Sequence, residues 1–383
     1  MSLSREQRDW LTLALVPGVG TTHFIRLLAR FRSPEAVLSS SHHTLGEVVG
    51  PKLAERIAQY ADVVDLSTQE RLMEEYDASL LTMNASSYPL SLGEIYDPPL
   101  VLFVRGELKE QDEHAVAIVG TRKATPYGIQ MAEKLARELA ARGVTIVSGL
   151  AAGIDAAAHR GALEAEGRTI AVLGCGVDVV YPRQNADLMH AVIQSGAVIS
   201  QFPMGIAPSP GHFPLRNRII SGISKGTIIV EAPSRSGALI TAHSAVEQGR
   251  EVFAVPGQVG KRNSEGPHAL IREGAKLVET VEDVLVELNL PTHMRTPLLP
   301  SAPIASPTAV SSSTPGLAQA PAKTSAGTNT EREVLSVLSP DGSFVDEIAA
   351  ACRIPVSQAL GALTTLELKG MIRQFSGKRF APR

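Results

Sequence analysis

The sequence has little cysteine, no long apolar run and no excess of positive charge. Its two cysteines, Cys175 and Cys352, lie far apart, and neither has a partner at zinc-ligand spacing. This argues against a disulfide framework and against a cysteine-based metal site. Apolar runs such as Thr227–Val230 are far shorter than the ~20 residues that span a bilayer, so the sequence predicts no membrane segment.

The charge balance indicates no polyanionic partner. Lysine and arginine total 36 against 39 acidic residues, a formal net charge of −3 over 383 residues. Any nucleic-acid surface must therefore be local. The first ten residues lack the basic-then-apolar order of a secretory signal, from which we expect a cytoplasmic protein.

Two common nucleotide-binding signatures are missing. The pattern G-x-G-x-x-G would need glycine at position 179, where "GCGVDV" has Val179, and no G-x-x-x-x-G-K-[ST] occurs. We therefore expect no NAD or ATP cofactor. Asp155 and His159 are four residues apart and could share a ligand. One histidine and one carboxylate make a poor metal site, so we favour a helix cap and a packed histidine.

The chain divides into four predicted parts. Residues 1–68 contain short helices and resemble a sterile-alpha-motif or helix-hairpin-helix domain, in which "PGVG" either presents backbone N–H groups to a phosphate or is a plain turn. Residues 69–289 alternate strands with helices. Residues 290–328 are rich in Pro, Ser and Ala, which predicts a disordered linker. Residues 329–383 suggest three helices and a basic two-stranded tip, as in a winged helix.

The second part predicts a Rossmann-like α/β core, a doubly wound parallel sheet. Near-continuous apolar strands that alternate with amphipathic helices indicate a parallel sheet covered on both faces. The predicted strands cover residues 115–119, 144–147, 169–173, 197–200, 227–230 and 251–255.

Ligands of such sheets bind at the carboxyl ends of the strands, so the loops after these strands belong together. Glycines at 120, 149, 153, 174 and 176 allow close approach of a ligand to the backbone, and helix N-termini behind them favour anions. Arg122, Lys123, Arg216, Arg218 and Lys225 supply positive charge. We expect these cations to hold phosphate.

The segment "HFPLRNRIISG" (residues 212–222) allows two interpretations. Single-strand-binding surfaces combine a cationic groove with an aromatic side chain on which bases stack, and Phe213 with Arg216 supplies both. Alternatively, Phe213 is a core residue and the arginines pair with Glu231 or Asp155. Glu231 itself is a candidate general base or an ion-pair partner of the arginines.

Seven motifs, occurring in order between Tyr88 and Val278, resemble the DNA-processing protein A (DprA/Smf) family. They include "AIVGTRKATPYG", "VSGLAAGIDAAAHRGAL", "FPLRNRIISG" and "VEAPSRSGALITAHSAVEQGREVFAVPG". The resemblance implies a non-enzymatic recombination mediator of natural transformation, or competence. Such a protein binds and protects incoming single-stranded DNA, works against single-strand-binding protein and loads a RecA-type recombinase. It implies a homodimer formed through the Rossmann-like domains.

The resemblance also implies site residues. Gly120, Thr121 and Arg122 would contact a phosphate, Phe213 a base, and Arg216 and Arg218 would line the groove. Some relatives have a lysine three residues before the phenylalanine; here that residue is Pro210, and we expect Lys225 to supply the charge. The full predicted DNA-binding set is Gly120, Thr121, Arg122, Ser148, Gly149, Gly153, Phe213, Arg216, Asn217, Arg218 and Lys225.

Two other functions compete with this one. A phosphoribohydrolase-like enzyme would use Glu231, yet the chain has "SRSGALITA" where those enzymes have P-G-G-x-G-T-x-x-E. A scaffold would act through the winged helix, whose third helix "SQALGALTTLELKG" has almost no base-reading side chains. Duplex DNA and protein are both open as partners of that domain, and no catalytic residue is predicted.

Overall fold

The computed structural model describes residues 3–290 and, towards the C-terminus, residues 334–339, 343–352, 354, 358–359, 362–363, 365–366, 371–375 and 379–382. The chain divides into two compact units, Met1–Pro300 and Ser301–Arg383, and each is described by itself. Apart from residue 290, the predicted linker at 290–328 lies outside the described residues.

The first unit begins with short helices whose starts follow their capping residues. Ser4 and Gln7 form a capping box, and Ser33 caps a helix that starts with proline. Residues 51–63 form two short helices that meet at Gln59. The helices are α1 (Arg5–Leu15), α2 (Thr21–Phe31), α3 (Pro34–Leu38), α4 (His42–Val49), α5 (Pro51–Ala58), α6 (Tyr60–Val63) and α7 (Leu66–Glu75).

These helices share a hydrophobic core with the sheet that follows. Trp10 and Phe24 belong to the same cluster of buried side chains as Phe103 and Val198. The domain boundary expected at residue 68 falls inside α7. Division of this unit into a helical and a Rossmann-like domain stays a prediction.

A nine-stranded sheet forms the centre of the first unit. Its strands are β1 (Ala78–Thr82), β2 (Val101–Gly106), β3 (Ala115–Val119), β4 (Thr145–Ser148), β5 (Thr169–Val172), β6 (Ala197–Ser200), β7 (Gly226–Ile229), β8 (Glu251–Ala254) and β9 (Lys276–Leu277). They lie in the order β1-β2-β6-β5-β4-β3-β7-β8-β9. Strands β3 to β9 pair in parallel, which confirms the Rossmann-like core, whereas β1 and β2 add an antiparallel edge that the sequence did not indicate.

Helices cover both faces of the sheet, as expected for buried parallel strands. They are α8 (Leu90–Gly93), α9 (Pro126–Ala141), α10 (Ile154–Glu164), α11 (Ala186–Ser195), α12 (His212–Gly222), α13 (Gly237–Glu247), α14 (Glu265–Arg272) and α15 (Val281–Glu287). Leu135 of α9 and Ala157 of α10 pack on Ile118 of β3, while Ile219 of α12 and Ala242 of α13 pack on the other face.

The direction of chain progression reverses beside β3. From β3 the chain proceeds through β4, β5 and β6 to one side and then returns through α12 to β7 on the other side. Because β3 and β7 are neighbours, the loops that follow them diverge at the carboxyl edge of the sheet. Such a reversal leaves a crevice in which ligands of open α/β sheets bind.

The second unit contains helix α16 (Val345–Ala351) and a three-stranded antiparallel sheet. Its strands are β10 (Ser343–Phe344), β11 (Ile372–Phe375) and β12 (Arg379–Pro382), in the order β10-β12-β11. Ile348, Leu363, Leu366 and Phe380 form its core. The predicted third helix is described only at residues 358–359, 362–363 and 365–366, all helical.

Within the part of the chain that the structure describes, no helix combines the length and the apolar character needed to cross a membrane.

The close approach of α9 and α10 depends on Gly161. A methyl group at this position would overlap the backbone oxygen of Glu133 in α9. We expect Gly161→Ala to lower the free energy of unfolding by about 1–3 kcal/mol, the usual cost of overpacking. Urea unfolding followed by circular dichroism measures this.

Gly46→Ala is the matched control, because Gly46 also lies inside a helix but its new methyl group would meet nothing closer than Ala54 Cβ at 4.0 Å. Since alanine favours helix, this variant should be unchanged or more stable by about 0.5–1 kcal/mol. Equal losses in the two variants would contradict the packing argument.

Candidate functional site

A cavity of about 350 Å³ occupies the crevice between the loops after β3 and β7. Gly120–Arg122 follow β3, Pro233, Arg235 and Ser236 lie between β7 and α13, and Gly237 and Ala238 begin α13. The cavity is also lined by Asp155, from the first turn of α10, and by Phe213, Arg216 and Asn217 of α12. The cavity therefore assembles segments that are up to about 120 residues apart in the sequence.

A second cavity of about 380 Å³ adjoins the first, and both are lined by Arg122, Phe213, Asn217 and Gly237. Its further lining is mostly apolar and comes from Tyr181, Pro208, Pro210, Pro214 and Ile240, together with Ser209. We call the two cavities together the groove. Phe213 and Arg122 lie where they meet.

Arg216 is a buried cation at the base of the first cavity, with only 4% of its surface exposed. Its Nη1 donates to the backbone oxygen of Val172 at 2.9 Å, and Nε has no hydrogen-bond partner among the described residues. Burial lowers the pKa of Arg216 to about 10, against the opposing effect of the Asp155 carboxylate. Arg216 is therefore still charged at neutral pH.

Asp155, in the first turn of α10, stabilises the positive charge of Arg216 electrostatically. Its Oδ2 accepts from the backbone N–H of Gly149 at 3.2 Å. Burial raises the pKa of Asp155, whereas Arg216 and backbone hydrogen bonds lower it. Gly149 also makes room for the arginine, because a methyl group there would overlap Arg216 Nη1.

Arg122 and Phe213 are in contact at the mouth of the groove. The guanidinium carbon of exposed Arg122 lies 4.7 Å from the centroid of the partly buried Phe213 ring, a cation–π distance. Tyr181 lies on another side of Phe213, with the ring centroids 5.8 Å apart. The exposed cation and the two aromatic rings thus form one continuous surface.

Arg235 is a groove residue that the sequence did not lead us to expect. It is exposed, lines the first cavity and precedes the N-terminus of α13, where Ser236 Oγ accepts from Ala238 N at 3.3 Å. The positive end of a helix dipole adds to its charge. A signal was present in the sequence, because Arg235 lies in a loop after a parallel strand, the same rule that selected Arg122.

Six of the predicted residues line the groove, and five do not. The six are Gly120, Thr121, Arg122, Phe213, Arg216 and Asn217. Gly149 packs directly against the guanidinium of Arg216. Ser148 is buried, and its Oγ donates to the backbone oxygen of Ile118 at 2.6 Å. Gly153 has a φ of 82° and packs against the backbone of Thr121 and Arg122.

Arg218 and Lys225 lie elsewhere, contrary to expectation. Two residues along a helix turn a side chain about 200° away, so Arg218 faces away from Arg216. Its guanidinium donates to the backbone oxygen of Asp97 and to Gln201 Oε1. Lys225 directly precedes β7 and therefore lies at the amino edge of the sheet, where its backbone N–H donates to Ala115.

Glu231 is held by hydrogen bonds and not by an ion pair with the arginines. Its carboxylate accepts from the backbone N–H of Thr125 at 2.9 Å, from Thr125 Oγ1 at 2.5 Å and from Asn263 Nδ2 at 3.2 Å. It does not line the groove, and within residues 3–290 it forms no ion pair. The predicted pairing with the arginines is wrong. Glu231 instead ties the start of α9 to the loop after β8.

His159 is fully buried and neutral. The hydroxyl of Thr169 donates its proton to the backbone oxygen of Ile146, so towards His159 it can only accept. His159 Nδ1 therefore carries the proton and donates to Thr169 Oγ1 at 2.7 Å. The other ring nitrogen, Nε2, is unprotonated. Burial lowers the pKa of His159 to about 3. No group of three or more metal-ligating side chains occurs in the described residues. The interpretation of His159 as a packed residue is consistent with these contacts.

Comparison with protein families connects this geometry with known proteins. A model of the DNA recombination-mediator protein A family matches residues 79–289, which is more than half of the chain. The chain belongs to this family. A model of the DprA winged helix domain matches residues 318–378. The family resemblance and the winged-helix prediction are both confirmed.

Relatives in the DprA/Smf family are similar over most of the chain. Protein Smf of Escherichia coli (strain K12) is 40% identical over 309 residues, which cover 80% of this chain and 78% of that protein. Protein Smf of Synechocystis sp. is 33% identical over 397 residues, covering 99% of both.

Two solved DprA structures resemble the fold. DprA from Streptococcus pneumoniae superimposes with a TM-score of 0.67 at 35% identity and covers 75% of this chain and 99% of its own. DprA from Helicobacter pylori has a TM-score of 0.51 at 32% identity, over 57% of this chain and 98% of its own. The structural work on the Helicobacter protein concerns its unique single-stranded DNA binding mode.

The buried state of His159 predicts a pH dependence of stability. The pKa of His159 is about 3 when folded and 6.5 ordinarily. Below about pH 6.5 the unfolded chain therefore binds a proton that the folded chain does not, and stability falls as the pH decreases towards about 3. His159→Gln removes this contribution, which has a limiting slope of about 1.4 kcal/mol per pH unit.

Urea unfolding at several pH values between about 5 and 8 measures the difference in slope between the two proteins. Asp155 is present in both, so its own titration largely cancels. His43→Gln is the control, because the side chain of His43 is 88% exposed. A His159→Gln protein with the wild-type pH slope would show that the buried imidazole takes up a proton in the folded state.

Proposed function

We propose that the groove binds single-stranded DNA without sequence preference. By this binding, a non-enzymatic cytoplasmic protein would protect incoming DNA and load a RecA-type recombinase on it during natural transformation. Membership of the recombination-mediator family supports the proposal, and so does the single-strand binding described for the Helicobacter relative. The observation that carries it is the meeting of Arg122 and Phe213 at the junction of the two cavities.

The first cavity has the chemistry of a phosphate site. Arg122 and Arg235 are exposed cations, and neither forms an ion pair within residues 3–290. Arg216 adds a buried charge with an unpartnered Nε, and the N-terminus of α13 adds backbone N–H groups. Arginine forks and helix N-termini are the usual partners of phosphate oxygens.

The second cavity suits unpaired bases. The ring of Phe213 and the ring of Tyr181 provide flat apolar surfaces, and prolines at 208, 210 and 214 line the same cavity. Stacking on such rings contributes about 1–3 kcal/mol per base and does not depend on base identity. A duplex keeps its bases inside the helix and cannot offer them to this cavity without unstacking.

An enzymatic alternative has no support in the site. The carboxylate of Glu231 is engaged by Thr125 and Asn263 and lies outside the groove, and Asp155 is held by Arg216 and backbone N–H groups. Glu231 therefore has no access to a nucleotide in the groove, and Asp155, which lines the first cavity, is engaged by backbone N–H groups and by the charge of Arg216. We therefore propose a binding function alone.

Assembly belongs to the same proposal. A homodimer through the Rossmann-like units would place two grooves on one long strand. The second groove would then bind at the high effective concentration that linkage creates. Tight binding is thereby compatible with a net charge of −3. The recombinase and single-strand-binding protein are the proposed protein partners of that complex.

Removal of the Arg122 guanidinium tests the phosphate site. We expect Arg122→Ala to weaken binding of oligothymidylate at least about tenfold, because the variant lacks a charge-assisted hydrogen bond of ~1.4 kcal/mol or more. Lys225→Ala is the matched control, since this exposed cation lies at the opposite edge of the sheet. Fluorescence anisotropy measures both affinities, and equal affinities for the two folded variants would reject the groove.

Phe213→Ala separates stacking from charge. Stacking releases no counterions, so affinity should fall about fivefold or more while the slope of log affinity against log salt stays unchanged. Arg122→Ala should instead make that slope less negative by about 0.7 for each phosphate that the variant no longer neutralises. A flattened slope in Phe213→Ala would mean that the ring positions the arginines rather than a base.

A further inference from the structure

A third cavity, here called the flanking cavity, lies on the other side of the segment that follows β3. It has a volume of about 780 Å³ and is lined by Thr125, Tyr127, Glu231 and Pro256, together with Lys261–Ser264 of the loop after β8. None of these residues lines the groove. Its chemistry is nevertheless that of a nucleotide site.

The aromatic ring of Tyr127 lines the flanking cavity in a fixed orientation. Its hydroxyl donates to the backbone oxygen of Pro256 at 2.9 Å, which anchors the ring, yet 45% of the residue is exposed. An exposed aromatic ring that is held in one orientation loses little entropy when a base stacks on it. Tyr127 therefore provides on this side the kind of surface that Phe213 provides in the groove.

Glu231 adds an acceptor to the cavity wall. Its Oε2 accepts from Thr125 N and Asn263 Nδ2, whereas Oε1 accepts only from Thr125 Oγ1, so one acceptor position of Oε1 is left. An acceptor-only group favours a ligand that donates. The exocyclic amino group of cytosine, N4, is such a donor, whereas thymine has an acceptor oxygen at the equivalent position.

The mouth of the flanking cavity carries positive charge. Lys261 and Arg262 are exposed, as is Lys123 on the neighbouring segment, and none of the three forms an ion pair within residues 3–290. Asn263 Nδ2 donates to the backbone oxygen of Lys123 at 3.1 Å and so fixes the two segments together. The three cations therefore lie on two segments that Asn263 connects, and Glu231 lies beside them.

The groove and the flanking cavity are lined by neighbouring residues of one segment. Arg122 lines the groove and Thr125 lines the flanking cavity, and three residues span at most about 11 Å. That length corresponds to about three nucleotides at the 3.4 Å rise of a stacked strand. The two cavities are therefore close enough for a few consecutive nucleotides of one strand to contact both.

We propose that the flanking cavity is a second nucleobase site for the same DNA strand and that it selects a base with an exocyclic amino group. The base stacks on Tyr127, its amino group donates to Glu231 Oε1, and the adjoining phosphate contacts Lys261 and Arg262. This inference rests on the proposed function, because the strand must first occupy the groove.

Affinities of the full chain for oligodeoxycytidylate and oligothymidylate of about 20 nucleotides test the proposal, since this length exceeds a typical site of about 4–16 nucleotides. We expect the wild type to bind the cytidine oligomer at least about fivefold more tightly. Tyr127→Ala should lower its affinity for that oligomer at least about fivefold and abolish the preference. Tyr96→Ala is the matched control, because Tyr96 is 99% exposed and lines none of these cavities.

A second variant keeps the test independent of Tyr127. Replacing Lys261 and Arg262 together by alanine should make the salt slope less negative by about 0.7 for each phosphate that these cations neutralise in the wild type. Equal affinity of the wild type for the two oligomers, or wild-type binding by both variants, would overturn the second site.

Arg122→Ala distinguishes the two proposals. If it weakens binding of both oligomers while the flanking-cavity variants behave as wild type, the groove stands and the second site fails. If it changes neither affinity, the proposed function itself fails.

Discussion

The buried charge of Arg216 is the constraint on which the crevice depends. An unpaired guanidinium inside a protein costs several kcal/mol, and here Asp155 and the oxygen of Val172 offset that cost. The arrangement fixes three elements at once, because Asp155 starts α10, Val172 ends β5 and Gly149 must lack a side chain. Arg216 and Asp155 line the first cavity, so this arrangement contributes both to its shape and to its charge.

Local charge, not net charge, explains how an acidic protein can attract a polyanion. Many arginines are neutralised by carboxylates, as in Arg168 with Asp112 at 2.8 Å and Arg142 with Glu282 at 2.6 Å. Arg122, Arg235, Lys261 and Arg262 form no ion pair within residues 3–290, and all four lie in loops at the carboxyl edge of the sheet. Low-dielectric walls concentrate the field of such charges in the cavities.

The parallel strands and glycine loops could be predicted because apolar runs and loop composition are local signals. Helix α12 could not, since its buried side includes Arg216, Asn217 and Ser221 and its apolar periodicity is therefore weak. Without a predicted helix at residues 212–222, the direction of the Arg218 side chain could not be predicted, because it depends on helical geometry. The wrong assignment of Lys225 to the groove could have been avoided, because a residue just before a parallel strand lies at the amino edge of the sheet. The partners of Glu231 depend on tertiary contacts with Thr125 and Asn263, 106 and 32 residues away.

The site is inseparable from the fold because no single segment contains it. Its side chains come from the segments that follow β3 to β7 and from α12 and α13, and the reversal of strand order beside β3 leaves the crevice that they line. If the proposed function holds, an unfolded chain has no comparable affinity for a strand, and bound DNA stabilises the folded unit by RT ln(1 + [L]/Kd). The segment 120–125 couples the cavities, since its backbone is held by Glu231 on one side and packs against Gly153 on the other. In the proposed complex, these contacts would keep Arg122 in position against the strand.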